Sequence, residues 1–350
     1  MTLQHAVEVV EAGLANTVQD RGRFGHRAIG VPPGGAADAL LLACANRLAG
    51  NADDAAAIEM PLAGPALRAL DGPVRVALMG AVQAQVLRVG GAVDKLDGAH
   101  SATLERGDVL RVGAVRGGVA YLAISGGCQV PPCLASRSTY ARARLGGVAG
   151  RPLAAGDLLP CGATEGEAES QWRAGPWRYE QGPVRVMPGP QDDAFEPAAI
   201  EALLQSDWRV GRETDRMGMR LEGPALAHRG SADLTSEGVV PGAIQVPGNG
   251  QPIVLLADAQ TVGGYPKIAC VIRADLPRLA HLRPGDVLRF AAVDRAQALE
   301  ALRAQADALA RWAATIAPWR RPGSMDLEAL GALSLVSGMI DARSDTLPWE

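Results

Sequence analysis

The chain is poor in several residue types, and each scarcity excludes a class of function. Its five histidines are scattered and its five cysteines form no C-x-x-C pair, so we expect no metal site. Lys95 and Lys267 are the only lysines, and the formal net charge of -4 gives no basic surface for nucleic acid. No apolar run is long enough to cross a membrane, and the N-terminus has no signal-peptide pattern. Together with the odd number of cysteines, these absences predict a cytoplasmic protein with reduced, buried thiols.

Aromatic residues are also scarce, at 4%, whereas 48% of all residues are hydrophobic, so Val, Leu, Ile and Ala must form the core. The 42 glycines and 24 prolines predict many tight turns between short strands. Apolar runs bounded by such residues predict strands at 74–78, 109–112, 119–124, 184–186, 253–256, 268–272 and 287–290. Helices are predicted at 39–49, 196–204 and 294–316, the first of them capped by Asp38.

An internal repeat indicates the architecture. The sequence LAGPAL at 62–67 recurs as LEGPAL at 221–226, and Gly-Asp turns enter predicted strands at 107–108, 156–157 and 285–286. This ordered series predicts two related β-rich domains, each closed or nearly closed so that few strand edges are exposed. The predicted divisions are a first domain at 1–162, a linker at 163–183, a second domain at 184–293 and a helical tail at 294–350.

Residues 245–269 form the strongest candidate site. A turn rich in proline and glycine precedes an apolar strand, which delivers Asp258, Gln260 and Thr261 to a second turn, GGYP. Polar groups at a strand end beside glycines suit ligand binding, because glycine lets a ligand approach the backbone. Lys267 lies in the same segment. An ordinary hairpin with polar tips is the alternative.

Two charged segments of the first half are further candidates. In residues 17–25, Arg21 and Arg23 could together hold a carboxylate or phosphate; alternatively, Asp20 and Arg23 form a structural pair. Glu59 stands in an apolar setting, where a carboxylate needs a partner or a shifted pKa. It is either a general acid or base, or one partner of a buried ion pair with an arginine.

Other polar groups have simpler alternatives. Residues 136–139 offer hydroxyls and a guanidinium, but no G-x-S-x-G sequence surrounds either serine, so a hydrolase nucleophile is not predicted. Asp215, Arg216 and Arg220 carry alternating charge and could form only a surface salt-bridge net. Glycines before Asp38 would suit an anion at a helix N-terminus, although a capping role alone is favoured for Asp38. The chain has no Walker A sequence.

Several motifs together carry a resemblance to a known family: TVQDRGR at 17–23, ANRLAGN at 45–51, SRST at 136–139, DRMG at 215–218, and GAIQVP at 242–247 with GGYP at 263–266. The chain resembles the family that contains the C subunit of 5-oxoprolinase, KipA-type proteins, allophanate hydrolase subunit 2 and the matching half of the urea carboxylase carboxyltransferase domain. The resemblance implies two cyclophilin-like β-barrel domains, hence a mainly β fold with a few short helices and a C-terminal helix. Three positions depart from the family pattern: Glu213 with Thr214 where serines are usual, Tyr140 where an acidic residue is common, and Gly248 where a second proline is frequent.

The resemblance implies an ATP-dependent 5-oxoprolinase, a hydrolase that opens the cyclic amide 5-oxoproline to glutamate. This chain would be its C subunit, working with a B-type barrel protein and an A-type lactam-utilisation protein, and ATP would be shared with these partners. Such chemistry needs cations for phosphoryl charge and an acid or base that directs water. We assign catalysis to Asp258, Glu59 and Lys267. The expected substrate- and anion-binding residues are Asp20, Arg21, Arg23, Ser136, Arg137, Arg216, Arg220, Gln245, Thr261 and Tyr265.

Two other activities are open within the same resemblance. A biotin-dependent carboxyltransferase would bring carboxyl-biotin and a urea- or amide-like acceptor to the same cleft. The biotin would then arrive on another protein, because the chain has no Met-Lys-Met sequence. A non-catalytic KipA-type protein would instead bind and regulate a histidine kinase.

Overall fold

Short β-strands dominate the computed structural model, which describes residues 5–162 and 171–319. Up to residue 162 the strands are β1 (His5–Glu11), β2 (Thr17–Gln19), β3 (Ala57–Met60), β4 (Ala66–Ala69), β5 (Val74–Met79), β6 (Gln83–Leu87), β7 (Val93–Asp97), β8 (His100–Leu104), β9 (Val109–Val112), β10 (Ala120–Ile124) and β11 (Leu158–Cys161). From residue 171 they are β12 (Gln171–Arg173), β13 (Val184–Pro188), β14 (Trp208–Thr214), β15 (Gly218–Glu222), β16 (Glu237–Gly238), β17 (Ala243–Gln245), β18 (Ile253–Leu255), β19 (Val262–Gly263), β20 (Lys267–Val271), β21 (Val287–Leu288), β22 (Phe290–Ala292) and β23 (Ala317–Trp319). The helices are α1 (Ala39–Ala49), α2 (Pro197–Gln205), α3 (Leu276–Leu279) and α4 (Arg295–Ala313).

Two sheets built mainly from the first half share one hydrophobic core. One has the strand order β11-β1-β4-β9-β6-β7, and the other has the order β2-β3-β10-β5-β8-β12-β23. Along β5, Val74, Val76 and Leu78 enter this core, whereas Ala77 and Met79 pack with α1. Because both faces of β5 are buried, its sequence is a continuous apolar run rather than an alternating one.

Helix α1 covers the outer face of the second sheet and begins where the sequence predicts. The N–H groups of Leu40 and Leu41 donate to Asp38 Oδ1 at 3.0 and 2.9 Å, which satisfies two backbone donors of the first turn. Gly50 ends the helix with a φ of 83°, a left-handed conformation that glycine adopts without strain. The cap leaves the second carboxylate oxygen of Asp38 available to other groups.

The third large sheet is a nearly closed barrel. Its eight strands have the order β21-β14-β15-β18-β17-β20-β13-β22. The two edge strands, β21 and β22, are separated in the chain by Arg289 alone, so the chain itself brings the two edges together. The strand predicted at 287–290 is therefore wrong as a single element, because the chain crosses from one edge to the other at this residue. Phe195, Trp208 and Phe290 fill the interior with aliphatic side chains.

The three Gly-Asp sequences form the same turn. In each, the aspartate carboxylate accepts the backbone N–H three residues earlier: Asp108 from Glu105 at 2.9 Å, Asp157 from Ala154 at 2.7 Å and Asp286 from Arg283 at 2.7 Å. Each turn leads directly into a strand: β9, β11 or β21. A side chain that fixes its own turn explains why this short signal is readable in the sequence.

Helix α4 packs near α1 through Trp312, whose Nε1 donates to the carbonyl of Gly175 at 2.7 Å. Its N-terminus carries a capping box formed by Asp294 and Gln297. The described residues up to Pro318 form a single compact unit. Residues 320–350 of the predicted tail and 163–170 of the predicted linker lie outside the described residues, and the predicted domain boundaries stay a prediction.

The mainly β fold with a few short helices is confirmed. In residues 5–162 and 171–319, no helix is both long and apolar enough to span a bilayer.

The thiols agree only in part with the sequence prediction. Cys44, Cys128 and Cys161 are buried and unbridged, but Cys133, in a loop outside the strands, and Cys270, in β20, are half-buried. Cys128 and Cys161 face each other in an isolated bridge, and burial raises the pKa of each thiol to about 12. Thiols of this kind are unreactive, which indicates a packing role.

Candidate functional site

Arg216 joins side chains from the two halves of the chain. Arg216, in the turn between β14 and β15, holds Asp258 through two bonds, Nε to Oδ2 at 2.8 Å and Nη2 to Oδ1 at 2.9 Å. Its Nη1 donates to Glu59 Oε1 of β3, and Nη2 also donates to the carbonyl of Gly35. The other oxygen of Glu59 accepts from the Tyr121 hydroxyl at 2.6 Å. We call Glu59, Tyr121, Arg216 and Asp258 the arginine centre.

Backbone pairing fixes the geometry of the arginine centre. The N–H of Asp258 donates to the carbonyl of Arg216 at 2.9 Å, so the strand end and the hairpin turn are joined directly. Asp215 Oδ1 accepts from the N–H groups of Met217 and Gly218 at 2.7 and 3.2 Å, which stabilises that turn. Charged side chains held by rigid backbone on both sides are suited to orienting a small ligand.

Burial and charge act together on these groups. Burial opposes the charge on Arg216, but the carboxylates of Glu59 and Asp258 outweigh it and raise the pKa of the guanidinium. Burial, followed by the Glu59 charge, raises the pKa of the Tyr121 hydroxyl. Tyr121 therefore stays protonated and donates its hydrogen bond to Glu59 at any ordinary pH.

A second buried network continues from the arginine centre. The N–H of Asp38 donates to the Tyr121 hydroxyl at 3.0 Å, and Asp38 Oδ2 accepts from Tyr179 and from His281 Nε2, the latter at 2.7 Å. The other ring nitrogen of His281 faces the carbonyl of Gly117 at 3.0 Å. Both ring nitrogens face oxygen acceptors, so this geometry suits the imidazolium form. Burial opposes that charge, yet the Asp38 carboxylate and the Gly117 carbonyl raise the pKa of His281.

Asp20 organises the segment of predicted hydroxyls rather than pairing with Arg23. Its carboxylate accepts from Ser136 Oγ at 2.7 Å, from Ser138 Oγ, and from the backbone N–H of Arg137. Among the described ion pairs none joins Asp20 to Arg23. We call Asp20, Ser136 and Ser138 the serine turn.

Arg23 is the most unusual group near the site. Its side chain is almost wholly buried, and Nη2 donates to the carbonyl of Ser138. Within residues 5–162 and 171–319, its Nε and Nη1 have no hydrogen-bond partner. A Cβ placed on Gly34 would lie 3.4 Å from both Arg23 Nη1 and Asp258 Oδ1. The guanidinium therefore faces the space beside the arginine centre, and buried donors without acceptors favour an anionic ligand.

The loop at 33–37 connects the serine turn to the arginine centre. Ala36 N–H donates to the Asp20 carbonyl at 2.9 Å, Gly34 N–H donates to the Ala257 carbonyl at 3.1 Å, and Ala37 N–H donates to Glu59 Oε2 at 2.8 Å. Asp20 and Asp258 thus belong to one continuous region.

Lys267 lies in a separate polar group of the second half. Its side chain is 3% exposed, and its ammonium lies 2.5 Å from Glu237 Oε1. Gln191 Nε2 donates to the same oxygen at 2.7 Å. Gln245, which pairs with Lys267 across β17 and β20, is buried, and its oxygen accepts from Gln260 at 3.4 Å. We call Gln191, Glu237, Gln245 and Lys267 the lysine cluster.

An open groove of 480 Å³ lies beside the turn that carries Arg216 and beside Gln245 of the lysine cluster. Its polar lining includes Arg142, Arg220, Gln245, Gln260 and Tyr265. Arg220 pairs with Glu213 at 2.8 Å, and both side chains are at least half exposed. A second groove of 730 Å³ adjoins it along β14 and β15.

The structure brings together most of the candidate residues but separates a few. Glu59, Asp258 and Arg216 meet in the arginine centre, Asp20 and Ser136 in the serine turn, and Lys267 and Gln245 in the lysine cluster. The guanidinium of Arg137 points away, to the Val130 carbonyl and Gln129 Oε1. Arg21 is exposed, and Thr261 is buried, with its carbonyl accepting the Val239 N–H at 3.0 Å. For Glu59, the geometry is that of the buried ion pair with an arginine.

Sequence reasoning missed Tyr121, Asp38 as a charge partner, His281, Tyr179 and Glu237. Tyr121 lies in a wholly apolar strand and therefore resembles a core residue. Glu237 stands in the sequence SEG, which resembles an ordinary polar turn and gave no reason to select it. In the described part of the chain, no group of three or more His, Cys, Asp or Glu side chains could hold a metal ion.

Fold and geometry define a class of protein: a mainly β chain in which charged side chains of two halves meet beside an open groove. The family model described as carboxyltransferase domain, subdomain A and B, matches residues 29–292, and the chain belongs to this family.

Within this family, the chain is similar to several characterised proteins. The chain is 37% identical to the C subunit of 5-oxoprolinase from Escherichia coli strain K12 over 85% of this chain and 95% of that protein. It is 36% identical to the corresponding 5-oxoprolinase C subunit of Haemophilus influenzae over 85% of this chain and 94% of that protein. Among solved structures, the urea carboxylase of Kluyveromyces lactis superimposes with a TM-score of 0.79 at 30% identity, covering 88% of this chain and 29% of that chain.

Proposed function

We propose that this chain is the C subunit of an ATP-dependent 5-oxoprolinase, which opens 5-oxoproline to glutamate. The observation that carries the proposal is the 37% identity to the 5-oxoprolinase C subunit of Escherichia coli, which extends over 95% of that protein. Because the match covers nearly the whole of that relative, this chain has a counterpart for almost every segment of it. The partners are a B-type barrel protein and an A-type lactam-utilisation protein.

The charged groups are assigned roles by their accessibility. Both oxygens of Glu59 are engaged, by Arg216, Ala37 and Tyr121, so Glu59 positions the guanidinium. Both oxygens of Asp258 also accept from Arg216, but Oδ1 borders the space beside Gly34 and Arg23, so Asp258 is the better placed acid or base for directing water to the lactam carbon. Arg23 stabilises anionic charge near that carbon, because two of its nitrogens have no acceptor among the described residues.

ATP is the phosphoryl donor that this proposal requires. The unsatisfied nitrogens of Arg23 fit an anionic oxygen, whereas the chain has no Walker A sequence for a nucleotide. We therefore assign this chain the binding of the lactam and of the anionic oxygen, and we assign the remainder of the nucleotide to the partner proteins. When bound, ATP supplies the phosphoryl group that makes the lactam carbonyl reactive.

The test is reconstitution. The purified chain is mixed with its A-type and B-type partners, ATP and 5-oxoproline, and glutamate and ADP are measured. Arg23→Met in the same mixture should lower the rate by about 100-fold or more, as expected for loss of a preorganised charge. Glu300→Gln, an exposed position on α4, is the control and should leave the rate unchanged. Failure of the complete wild-type mixture to form glutamate and ADP would reject the proposal.

A biotin-dependent carboxyltransferase is the second candidate, favoured by the structural likeness to the urea carboxylase of Kluyveromyces lactis at a TM-score of 0.79. In this case, the same groups would hold carboxyl-biotin carried by another protein and a urea- or amide-like acceptor. Transfer of labelled carbon from bicarbonate to such an acceptor, in a mixture containing a biotin carboxylase and a biotinylated carrier, distinguishes this activity from lactam hydrolysis.

A further inference from the structure

In the lysine cluster, the carboxylate of Glu237 is paired with a buried lysine. Lys267 projects from β20 of the barrel, and its side chain is only 3% exposed. Its acid partner, Glu237, has a side chain that is 46% exposed and belongs to a different sheet. A buried cation whose counter-ion comes from the surface is unusual, because a cation buried for structural reasons is normally paired with a buried group.

Glu237 lies on a separate two-stranded flap, which we define as residues 237–238 and 262–263. In the flap Glu237 pairs with Gly263 and Gly238 pairs with Val262, and these strands form a sheet of their own. Glu237, Gly238 and Val262 are exposed. Backbone bonds from Val239 N–H to the Thr261 carbonyl and from Leu234 N–H to the Gly264 carbonyl, at 3.0 and 2.7 Å, continue this ribbon, so the exposed Glu237 side chain is the part that can move away at low free-energy cost.

Under the flap, three donors converge. Gln191 Nε2 donates to Glu237 Oε1 at 2.7 Å, and Lys267 Nζ lies 2.5 Å from the same oxygen as an ion pair, without the geometry of a hydrogen bond. Gln245 Nε2 is buried and has no acceptor in the described part of the chain. A Cβ added to Gly263 would lie only 2.5 Å from this nitrogen, so the amide is directly beneath the flap. One ammonium and two amide donors form a set that matches the two oxygens of a carboxylate.

We propose that Lys267, Gln191 and Gln245 form a subsite for the carboxylate of a small ligand, and that Glu237 occupies this subsite as an internal substitute until the ligand arrives. Exchange of one carboxylate for another keeps Lys267 paired, so its charge is never buried alone. The displaced Glu237 returns to water, where an exposed carboxylate is well solvated. Tyr265 and Gln260 line the groove next to Gln245 and mark the path toward the arginine centre.

The identity of the ligand rests on the proposed function, because 5-oxoproline carries a carboxylate on its lactam ring. The subsite is tested by binding alone. Calorimetry compares 5-oxoproline with 2-pyrrolidone, the same lactam without the carboxylate, on the full-length chain. We expect wild type to bind 5-oxoproline at least about tenfold more tightly, as charge-assisted bonds imply.

Variants separate the internal substitute from the subsite. Glu237→Gln should raise the affinity for 5-oxoproline several-fold and leave that for 2-pyrrolidone unchanged, because a competing charge is removed. Lys267→Met should reduce the affinity for 5-oxoproline to that for 2-pyrrolidone. The control Glu300→Gln should behave as wild type. Hydrogen exchange at Val262 and Gly263 should become faster in Glu237→Gln, since the flap loses its attachment.

Three results would overturn the subsite: weaker 5-oxoproline binding in Glu237→Gln, equal changes for both lactams, or no binding of 5-oxoproline to any variant at millimolar concentration. Each of them would make Glu237 a structural partner of Lys267. Carboxylate-dependent binding without glutamate formation in the reconstituted mixture would instead reject the oxoprolinase and retain the subsite.

Discussion

Replacement of Arg216 by methionine should destabilise the fold strongly, because it leaves two buried carboxylates without their cation. The side chains of Glu59 and Asp258 are 5% and 10% exposed, and that of Arg216 is 27% exposed. Two unit charges 4 Å apart interact by about 4 kcal/mol at an effective dielectric constant of about 20. Removal of one partner from a buried pair costs about 3–5 kcal/mol. With two carboxylates affected, we expect a loss toward the upper end of that range.

Urea unfolding of Arg216→Met measures this loss, and the same hairpin supplies a matched control. Arg220 pairs with Glu213, but these side chains are 50% and 78% exposed, so Arg220→Met should cost no more than about 1 kcal/mol. Adding Glu59→Gln to Arg216→Met should recover part of the stability, because one uncompensated charge is removed. A loss below about 1 kcal/mol for Arg216→Met, equal to that of the control, would refute the reasoning about the arginine centre.

Three further outcomes follow from described contacts. Because Asp38 raises the pKa of His281 above its unfolded value, the stabilising effect of this pair is complete below about pH 6.5 and is lost as pH rises through the folded pKa. The difference in unfolding free energy between wild type and His281→Gln should therefore shrink as pH rises, and a constant difference would contradict the pairing. Gly35→Ala should lower the unfolding free energy more than Gly30→Ala. Both glycines have a positive φ, 86° and 83°, but only at Gly35 would the new Cβ meet backbone atoms at 2.7 Å. Equal losses in thermal melts would argue against this close approach. Trp312→Ala should cost about 3–5 kcal/mol and speed hydrogen exchange along α4, and unchanged exchange in residues 295–313 would show that the ring does not hold the helix.

The local elements could be predicted where one residue type decides the structure. Asp38 and Gly50 mark both ends of α1, and the Gly-Asp turns mark the starts of β9, β11 and β21. The apolar run of β5 is readable because both of its faces are buried. The break at Arg289 was not predicted, because a switch between sheet edges depends on the closure of the barrel and leaves the apolar pattern unchanged.

The candidate site could be predicted only as separate pieces. Glu59 needs a partner on chemical grounds, but Arg216 is 157 residues away and is one of many arginines. Pairings over such distances are set by how the sheets pack, which composition and spacing do not encode. Arg137 illustrates the opposite error, since it lies inside a readable motif while its guanidinium binds a neighbouring loop.

The position of Arg216 has a consequence for dividing the gene. Asp258 and Arg216 would stay together in a fragment that begins after residue 183, whereas Glu59 would remain in the other fragment. The first fragment alone would expose Glu59 without its cation, whereas the second would expose a guanidinium that keeps Asp258 but has lost one of its two carboxylates. Two such fragments should therefore gain solubility when they are co-expressed, which makes this ion pair a natural reporter for fragment complementation.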